Sequence, residues 1–329
     1  MTALAPLLQA FFTDRLAAQR HASPNTVLSY RDAMRLLLDY AAHATGKKPS
    51  ALDIADLDMR LITGFLDHLE HERRNSVRTR NNRLAAIHSL FSYAARHHPE
   101  HADTIAQVLA IPVKRYDRTM LTWLTETEVD ALLAAPDRAT WTGRRDHALL
   151  VLAVQTGLRI TELISLTHAD IHLGAGAHVQ CMGKGRKQRA TPLTKHTVAV
   201  LRCWIDEQPG APNHPLFPTR TSATLSRDAV EHRLAGYVAN ASSNHISLQG
   251  KRITMHTLRH TAAMRLLQSG TDTAVIALWL GHEQLGTVQI YLHADMEQKE
   301  RAIARVTPPG TRPGRYQPPD PLLAFLQQL

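Results

Sequence analysis

The stretch Thr-Gly-Leu-Arg-Ile-Thr-Glu-Leu at residues 156–163 decides how the second half of this 329-residue chain is interpreted. Its hydrophobic spacing predicts a helix that begins just after Gly157. Glu162 follows Arg159 by three residues, and side chains at that spacing meet on one helix face. Alone, the pair indicates an ordinary helix salt bridge, so its meaning depends on the motifs around it.

Four further motifs follow this stretch and carry cationic or phenolic side chains. They are Gly-Lys-Gly at 183–185, His-Thr-Leu-Arg-His at 256–260, Leu-Gly-His at 280–282, and Tyr291. The transition state of phosphodiester cleavage gathers negative charge on the non-bridging oxygens, and fixed cationic donors can hold that charge. Paired arginines grip such oxygens bidentately, so the set predicts phosphodiester cleavage without a metal ion.

The same residue types supply the other steps of that chemistry. A tyrosine phenol has a pKa of about 10 and needs a base such as histidine to take its proton at neutral pH. The departing 5′ oxygen needs an acid, which Lys184 can provide from a predicted hairpin turn, with Lys187 as an alternative. The chain has no GxxxxGK string, and a protein–DNA ester would conserve the bond energy. We therefore expect no cofactor, neither ATP nor a metal ion.

The composition indicates a polyanionic partner inside the cell. The net charge is +9 and the pI is about 9.8, although a solvated basic surface would give the same values. Cys181 and Cys203 form no CxxC pattern, which fits a reducing compartment. Apolar runs are too short for a membrane span, and no signal peptide is recognised. We expect a cytoplasmic, nucleoid-associated protein with no membrane partner.

Helical periodicity predicts a mainly α protein with two domains. Residues 1–111 form a helical domain, and residues 112–124 form a basic linker that begins at Pro112. Residues 125–307 form a mostly helical second domain with a small β-hairpin at 178–193, and Thr125 with Glu128 predicts a capping box at its start. Residues 308–329 are a proline-rich linker that ends in an apolar segment.

Basic residues near the fourth helix and in the linker are candidates for contact with phosphates. A polar, basic stretch at residues 72–83 leads into the apolar positions of that helix, and helix starts favour anions. A solvated charged face is the alternative explanation. The predicted DNA-binding residues are Arg73, Arg74, Arg78, Arg80, Arg83, Lys114 and Arg115.

The motifs resemble those of the tyrosine recombinase, or phage integrase, family, which includes Xer-type recombinases and transposon integrases. The resemblance covers about residues 10–306, and six positions occur in the family's order. It implies an N-terminal SAM-like core-binding domain and a catalytic domain that together form a C-shaped clamp on double-stranded DNA. The implied activity is strand exchange at inverted-repeat sites through a 3′-phosphotyrosine. A homotetramer in the synaptic complex and possible partner recombinases are also implied.

The resemblance implies a role for each matched residue around the scissile phosphate. Arg159 and Arg259 hold the phosphate, and Glu162 braces Arg159 from one turn away. His282 donates a hydrogen bond to the phosphate.

The remaining matched residues carry the covalent and proton-transfer steps. Tyr291 is the nucleophile, His256 exchanges its proton, and Lys184 is the general acid to the 5′ oxygen. His260 is expected to support the catalytic residues structurally, without contacting the phosphate.

Alternatives remain at several positions. His256 and His260 would fit a metal pair, although an HExxH motif needs glutamate where Thr257 stands. Tyr237 and Tyr316 are other tyrosines to consider as nucleophiles. The apolar residues 322–329 are expected to dock on the catalytic domain of a neighbouring protomer. Docking on the catalytic domain of the same chain is the alternative.

The biological role is also open at this stage. The stretches at 239–252 and after 306 are longer than in a minimal Xer-type chain. This favours integration, excision or transposition of a mobile element over the dimer resolution performed by Xer-type enzymes. A type IB topoisomerase and a catalytically inactive DNA-binding protein are less favoured.

Overall fold

The computed structural model describes residues 3–19, 21–116, 121–183 and 188–281. They are mostly helical, with a small antiparallel sheet, which confirms the predicted mainly α fold. The chain divides into two units, the first ending at Arg118 and the second beginning at Thr119. Within the four described ranges, no helix is both long enough and apolar enough to cross a bilayer.

The first unit is built from helices that bury the apolar faces predicted from the sequence. Phe11, Leu37, Phe65 and Leu90 are at most 1% exposed and lie in its core. The helices are α1 (Leu4–Ala10, continued in π-helical geometry by Phe11–Gln19), α2 (Pro24–Thr45), α3 (Met59–His71), α4 (Val77–Ala94) and α5 (Ala102–Leu109).

Helix α4 begins earlier than the hydrophobic pattern predicts. Ser76 caps it by accepting a hydrogen bond from the backbone N–H of Thr79 at 3.2 Å. Arg78, Arg80 and Arg83 therefore lie within the first two turns of the helix rather than before it. Arg80 and Arg83, three residues apart, share one face of the helix, whereas Arg78 lies on the opposite side.

The second unit packs its helices around the long helix α7, which is buried along most of its length. The predicted capping box is present, since Thr125 N donates to Glu128 at 2.9 Å. The elements are α6 (Glu126–Ala134), α7 (Trp141–Thr156), α8 (Ile160–Ile164), β1 (Ile171–His172), β2 (His178–Met182), β3 (Gln188–Pro192), α9 (Lys195–Glu207), α10 (Arg227–Asn244), α11 (Met255–Gln268) and α12 (Thr273–Leu280).

The small sheet confirms the predicted hairpin and adds one strand. β2 and β3 are antiparallel, with Cys181 opposite Arg189, and β1 pairs with the other edge of β2. Helix α10 continues through residue 239 to Asn244. Part of the stretch at 239–252 is therefore an extension of this helix.

Candidate active site

Two helix ends in the second unit form the frame of the candidate site. Helix α7 ends at Gly157 with φ of 64°, and α12 ends at Gly281 with φ of 65°, both in the left-handed region that favours glycine. A Cβ atom on Gly157 would lie 2.7 Å from a methyl carbon of Leu280. Trp279 Nε1 donates to the Thr156 carbonyl at 3.1 Å. The two helix ends are therefore in direct contact.

Arg259 joins these helix ends from the interior. It lies on α11 and is 3% exposed. Its Nη1 donates to the Gly157 carbonyl and its Nη2 to the Leu280 carbonyl, each at 2.7 Å. Carbonyls at helix C-termini carry partial negative charge, so a guanidinium between them is electrostatically favoured.

Arg159 also donates a hydrogen bond to the end of α12. It precedes α8, and its Nη2 donates to the Gly281 carbonyl at 3.2 Å. Since Arg259 binds the Leu280 carbonyl, the two guanidinium groups hold consecutive carbonyls of one chain segment. The structure thus brings together the two arginines that the sequence singles out, directly before position 282.

Glu162 is saturated with hydrogen bonds from two arginines. Its Oε1 accepts from Arg159 Nη1 at 2.8 Å, and its Oε2 accepts from the Arg159 backbone N–H at 2.8 Å. Arg189 donates to both oxygens, at 3.1 and 2.7 Å. Burial by itself raises the pKa of Glu162, but the hydrogen bonds from Arg189 and the Arg159 backbone outweigh it and lower the pKa.

The sequence interpretation missed Arg189, although a signal for it was present. Residues 189 and 191 of β3 alternate with exposed neighbours, and Thr191 is fully buried. An arginine on the inward face of a short strand needs an acidic partner, because burying an unpaired charge is costly. Glu162 is that partner.

The two histidines of the motif at 256–260 lie one turn apart on α11. His256 is exposed and His260 is buried, and their rings meet edge to face with centroids 4.2 Å apart. No group of three or more metal-ligating side chains occurs in the described parts of the chain.

Several predicted site residues lie outside the described residues. These are Lys184, its alternative Lys187, His282, Tyr291, Tyr316 and the tail at 308–329. Tyr237 is described, and its hydroxyl donates to Asp146 at 2.6 Å. Burial and this carboxylate raise the pKa of Tyr237 well above its usual value, so the phenol is poorly suited to act as a nucleophile.

The predicted DNA-binding residues of the first unit differ in their surroundings. Arg80 is 7% exposed and donates to the Pro112 carbonyl at 3.3 Å, which does not favour the predicted contact with DNA. Lys114 is exposed but pairs with Glu70 at 3.0 Å. Four of the predicted residues are exposed and form no salt bridge with the carboxylates that the structure describes: Arg73, Arg74, Arg78 and Arg115.

Arg83 is half-buried beside another cation. Burial lowers its pKa, nearby Arg73 lowers it further, and Asp32 partly offsets the shift. Its Nε is buried without a hydrogen-bond partner among the residues that the structure describes. An anion at this position would satisfy the donor and reduce the repulsion between the two arginines.

Comparison with known proteins gives matches over nearly the whole chain. Residues 122–298 match the phage integrase family, and residues 10–98 match the phage integrase N-terminal SAM-like domain. A Sinorhizobium fredii protein named as an integrase/recombinase, y4rC, is 53% identical over 326 residues, covering 99% of this chain and 98% of the relative. Tyrosine recombinase XerD of Pseudomonas putida is 30% identical, covering 93% and 98%.

A solved structure supports the fold. The crystal structure of XerH site-specific recombinase bound to palindromic difH substrate superimposes with a TM-score of 0.70 at 23% identity. The superposition covers 87% of this chain and 81% of that one.

Proposed function

The chain belongs to the phage integrase family of tyrosine recombinases, which are DNA strand-exchange enzymes, and we propose that it works through a bond between Tyr291 and a DNA 3′ phosphate. The observation that carries this proposal is the convergence of Arg159 and Arg259 on the consecutive carbonyls of residues 280 and 281. Two guanidinium groups held this way suit a phosphate whose oxygens gain charge in the transition state.

In the proposed reaction, the phenolic oxygen of Tyr291 attacks the scissile phosphorus and the bond to the 5′ oxygen breaks. His256 accepts the phenolic proton, and Lys184 supplies a proton to the leaving 5′ oxygen. His282 adds a hydrogen bond to the phosphate. In ligation, a 5′ hydroxyl attacks the phosphotyrosine, the tyrosine leaves as the phenol, and the number of phosphoester bonds is conserved.

The same proposal extends to the DNA substrate and to assembly. Residues 1–111 bind DNA, with Arg73, Arg78 and Arg83 on phosphates, and residues 125–307 carry out catalysis. The substrate is a pair of inverted-repeat sites on the nucleoid, bridged by a homotetramer that can include a partner recombinase. Residues 308–329 dock on a neighbouring protomer.

A nicked suicide substrate tests the nucleophile. When cleavage releases a short fragment that diffuses away, ligation is blocked, and the protein should accumulate as an SDS-stable adduct with DNA. Tyr291→Phe should abolish the adduct. Tyr237→Phe is the matched control and should still form it, since that phenol is bound to Asp146. An adduct in the Tyr291→Phe protein would refute the assignment.

A sulfur substitution tests the general acid. A bridging 5′ sulfur leaves without protonation, so a Lys184→Ala protein should cleave that substrate at near the wild-type rate while failing on normal DNA. Lys187→Ala should behave like the wild type on both. The reverse pattern would move the acid to Lys187.

We propose recombination of a mobile element as the biological role. The chain retains a long α10 and residues beyond 306, and the 53% identical relative is named as an integrase/recombinase. Resolution of chromosome or plasmid dimers is the alternative, favoured by the 30% identity to XerD. Strand exchange between the ends of the element, compared with exchange at the host's dimer-resolution site, separates the two roles. Relaxation of supercoiled DNA without exchange would indicate a topoisomerase.

A further inference from the structure

We propose that Arg189 is a positioning residue that sets both the orientation and the effective charge of Arg159. The inference rests on the proposed function, in which Arg159 binds the scissile phosphate. It concerns the carboxylate of Glu162, which lies between the two arginines.

The geometry begins with the hydrogen bonds of this carboxylate. Each oxygen of Glu162 accepts one hydrogen bond from Arg159 and one from Arg189. The side chains of Glu162 and Arg189 are 5% and 11% exposed, whereas that of Arg159 is 33% exposed. Arg189 therefore closes the buried side of the group, and Arg159 is the member that faces outward.

The net charge of the three side chains determines how strongly Arg159 can attract a phosphate. Alone with Arg159, Glu162 would cancel most of the positive charge that the phosphate is meant to meet. Arg189 supplies a second positive charge to the same carboxylate, so the three side chains together remain at +1. Burial strengthens these interactions because the local dielectric constant is low.

Arg189 also contacts the end of α12. A Cβ atom on Gly281 would lie 2.7 Å from Arg189 Nη1, and the Gly281 carbonyl is the one that Arg159 binds. Arg189 therefore packs against both groups that orient the Arg159 guanidinium. This is the arrangement expected of a side chain that positions another.

A neutral substrate separates this role from a general loss of stability. In a methylphosphonate linkage, one non-bridging oxygen is replaced by methyl, so the scissile group carries no charge. We compare cleavage of phosphate and methylphosphonate sites by each variant. The ratio of the two rates does not depend on the fraction of protein that is folded.

Arg189→Gln should cleave the phosphate site about 10²-fold more slowly, at the lower end of the range for removing one transition-state donor. Its loss on the methylphosphonate site should be much smaller, as for Arg159→Ala. Arg202→Gln is the matched control: it removes an exposed arginine of the same unit that donates to the Leu173 carbonyl, and it should leave the ratio unchanged. An Arg189→Gln ratio equal to that of the wild type would overturn the inference.

Two more variants guard against misfolding of Arg189→Gln. Arg189→Lys keeps the positive charge but not the bidentate geometry, and should fall between the wild type and Arg189→Gln. Adding Glu162→Gln to Arg189→Gln removes the carboxylate that cancels Arg159, and should cost no further activity on the phosphate site. A further loss that simply adds to the first would contradict the charge-balancing role.

The Arg159→Ala variant distinguishes failure of this inference from failure of the proposed function. If its ratio does not change, Arg159 does not act on the phosphate charge, and the proposed function fails. If the Arg159→Ala ratio changes and the Arg189→Gln ratio does not, only the role of Arg189 is wrong.

Discussion

Arg259 and Arg80 are buried arginines in different units, and both donate to backbone carbonyls. Arg259 bridges the ends of α7 and α12, which adjoin Arg159 and position 282. Arg80 links α4 to the chain near Pro112, and Glu70 lies 3.8 Å from its Nε. Arg259 connects the helix ends of the candidate site, whereas Arg80 binds the start of the linker to the first unit. Burial of an arginine is therefore uninformative until its partners are known.

The sharpest test of this contrast is Arg259→Ala. We expect cleavage to fall by about 10²–10³-fold, the range for removal of one transition-state donor. DNA affinity should change far less, because many phosphate contacts remain. Single-turnover cleavage at saturating protein measures the rate. Cleavage within a few-fold of the wild type would mean that Arg259 is structural, like Arg80.

Arg80→Met should show the opposite pattern. Loss of its hydrogen bonds leaves a part-buried carbonyl and carboxylate less well satisfied, so we expect the unfolding free energy to drop by about 1–3 kcal/mol. Cleavage by the folded protein should be unchanged. Denaturant unfolding monitored together with single-turnover cleavage checks both. A large loss of cleavage without destabilisation would place Arg80 on the DNA after all.

Arg78→Gln should have a smaller effect, confined to DNA affinity. An exposed arginine that contacts one phosphate contributes about one unit to the slope of log affinity against log salt concentration. Binding titrations over a range of salt concentrations measure that slope. The same substitution at Arg80 should leave the slope unchanged, and a reduced slope there would reverse our distinction between the two residues.

The smallest expected effect is on the acid dependence of stability, through Glu162. Its pKa is lowered in the folded protein, so the unfolded chain binds the proton more readily and stability falls as pH drops through the folded pKa. The stabilisation is fully present above the unfolded value of about 4.3. Glu162→Gln should therefore weaken the loss of stability on acidification, as measured by unfolding between neutral and acidic pH. An unchanged acid profile would show that the ion pairs contribute nothing.

Local sequence patterns predicted much of this fold because the responsible interactions are short-range. The capping box at Thr125 and the helix break at Gly157 each depend on residues within one turn of each other, and the hairpin joins two strands that follow each other in sequence. The hydrophobic pattern alone predicts too late a start for α4, because the helix begins at its cap, Ser76. The hydrophobic pattern identifies the buried face of a helix, whereas the capping residue identifies the position at which the helix begins.

Partners distant in sequence explain what could not be predicted. Arg189 is 27 residues from Glu162, and nothing local indicates that β3 returns to α8. Likewise, Arg80 meets the Pro112 carbonyl 32 residues away, so the charge density at 72–83 could not reveal which arginines face inward. Motif order predicted the pair Arg159 and Arg259, but only the packing of α12 explains how they meet.

The consecutive carbonyls of Leu280 and Gly281 have a mechanical consequence. Since one peptide unit joins them, a shift of that peptide displaces the acceptors of Arg259 and Arg159 at the same moment. Each guanidinium keeps a second partner during such a shift, the Gly157 carbonyl for Arg259 and the Glu162 carboxylate for Arg159. A displacement of the end of α12 would therefore change one hydrogen bond of each arginine, while the remaining bonds keep both side chains in place.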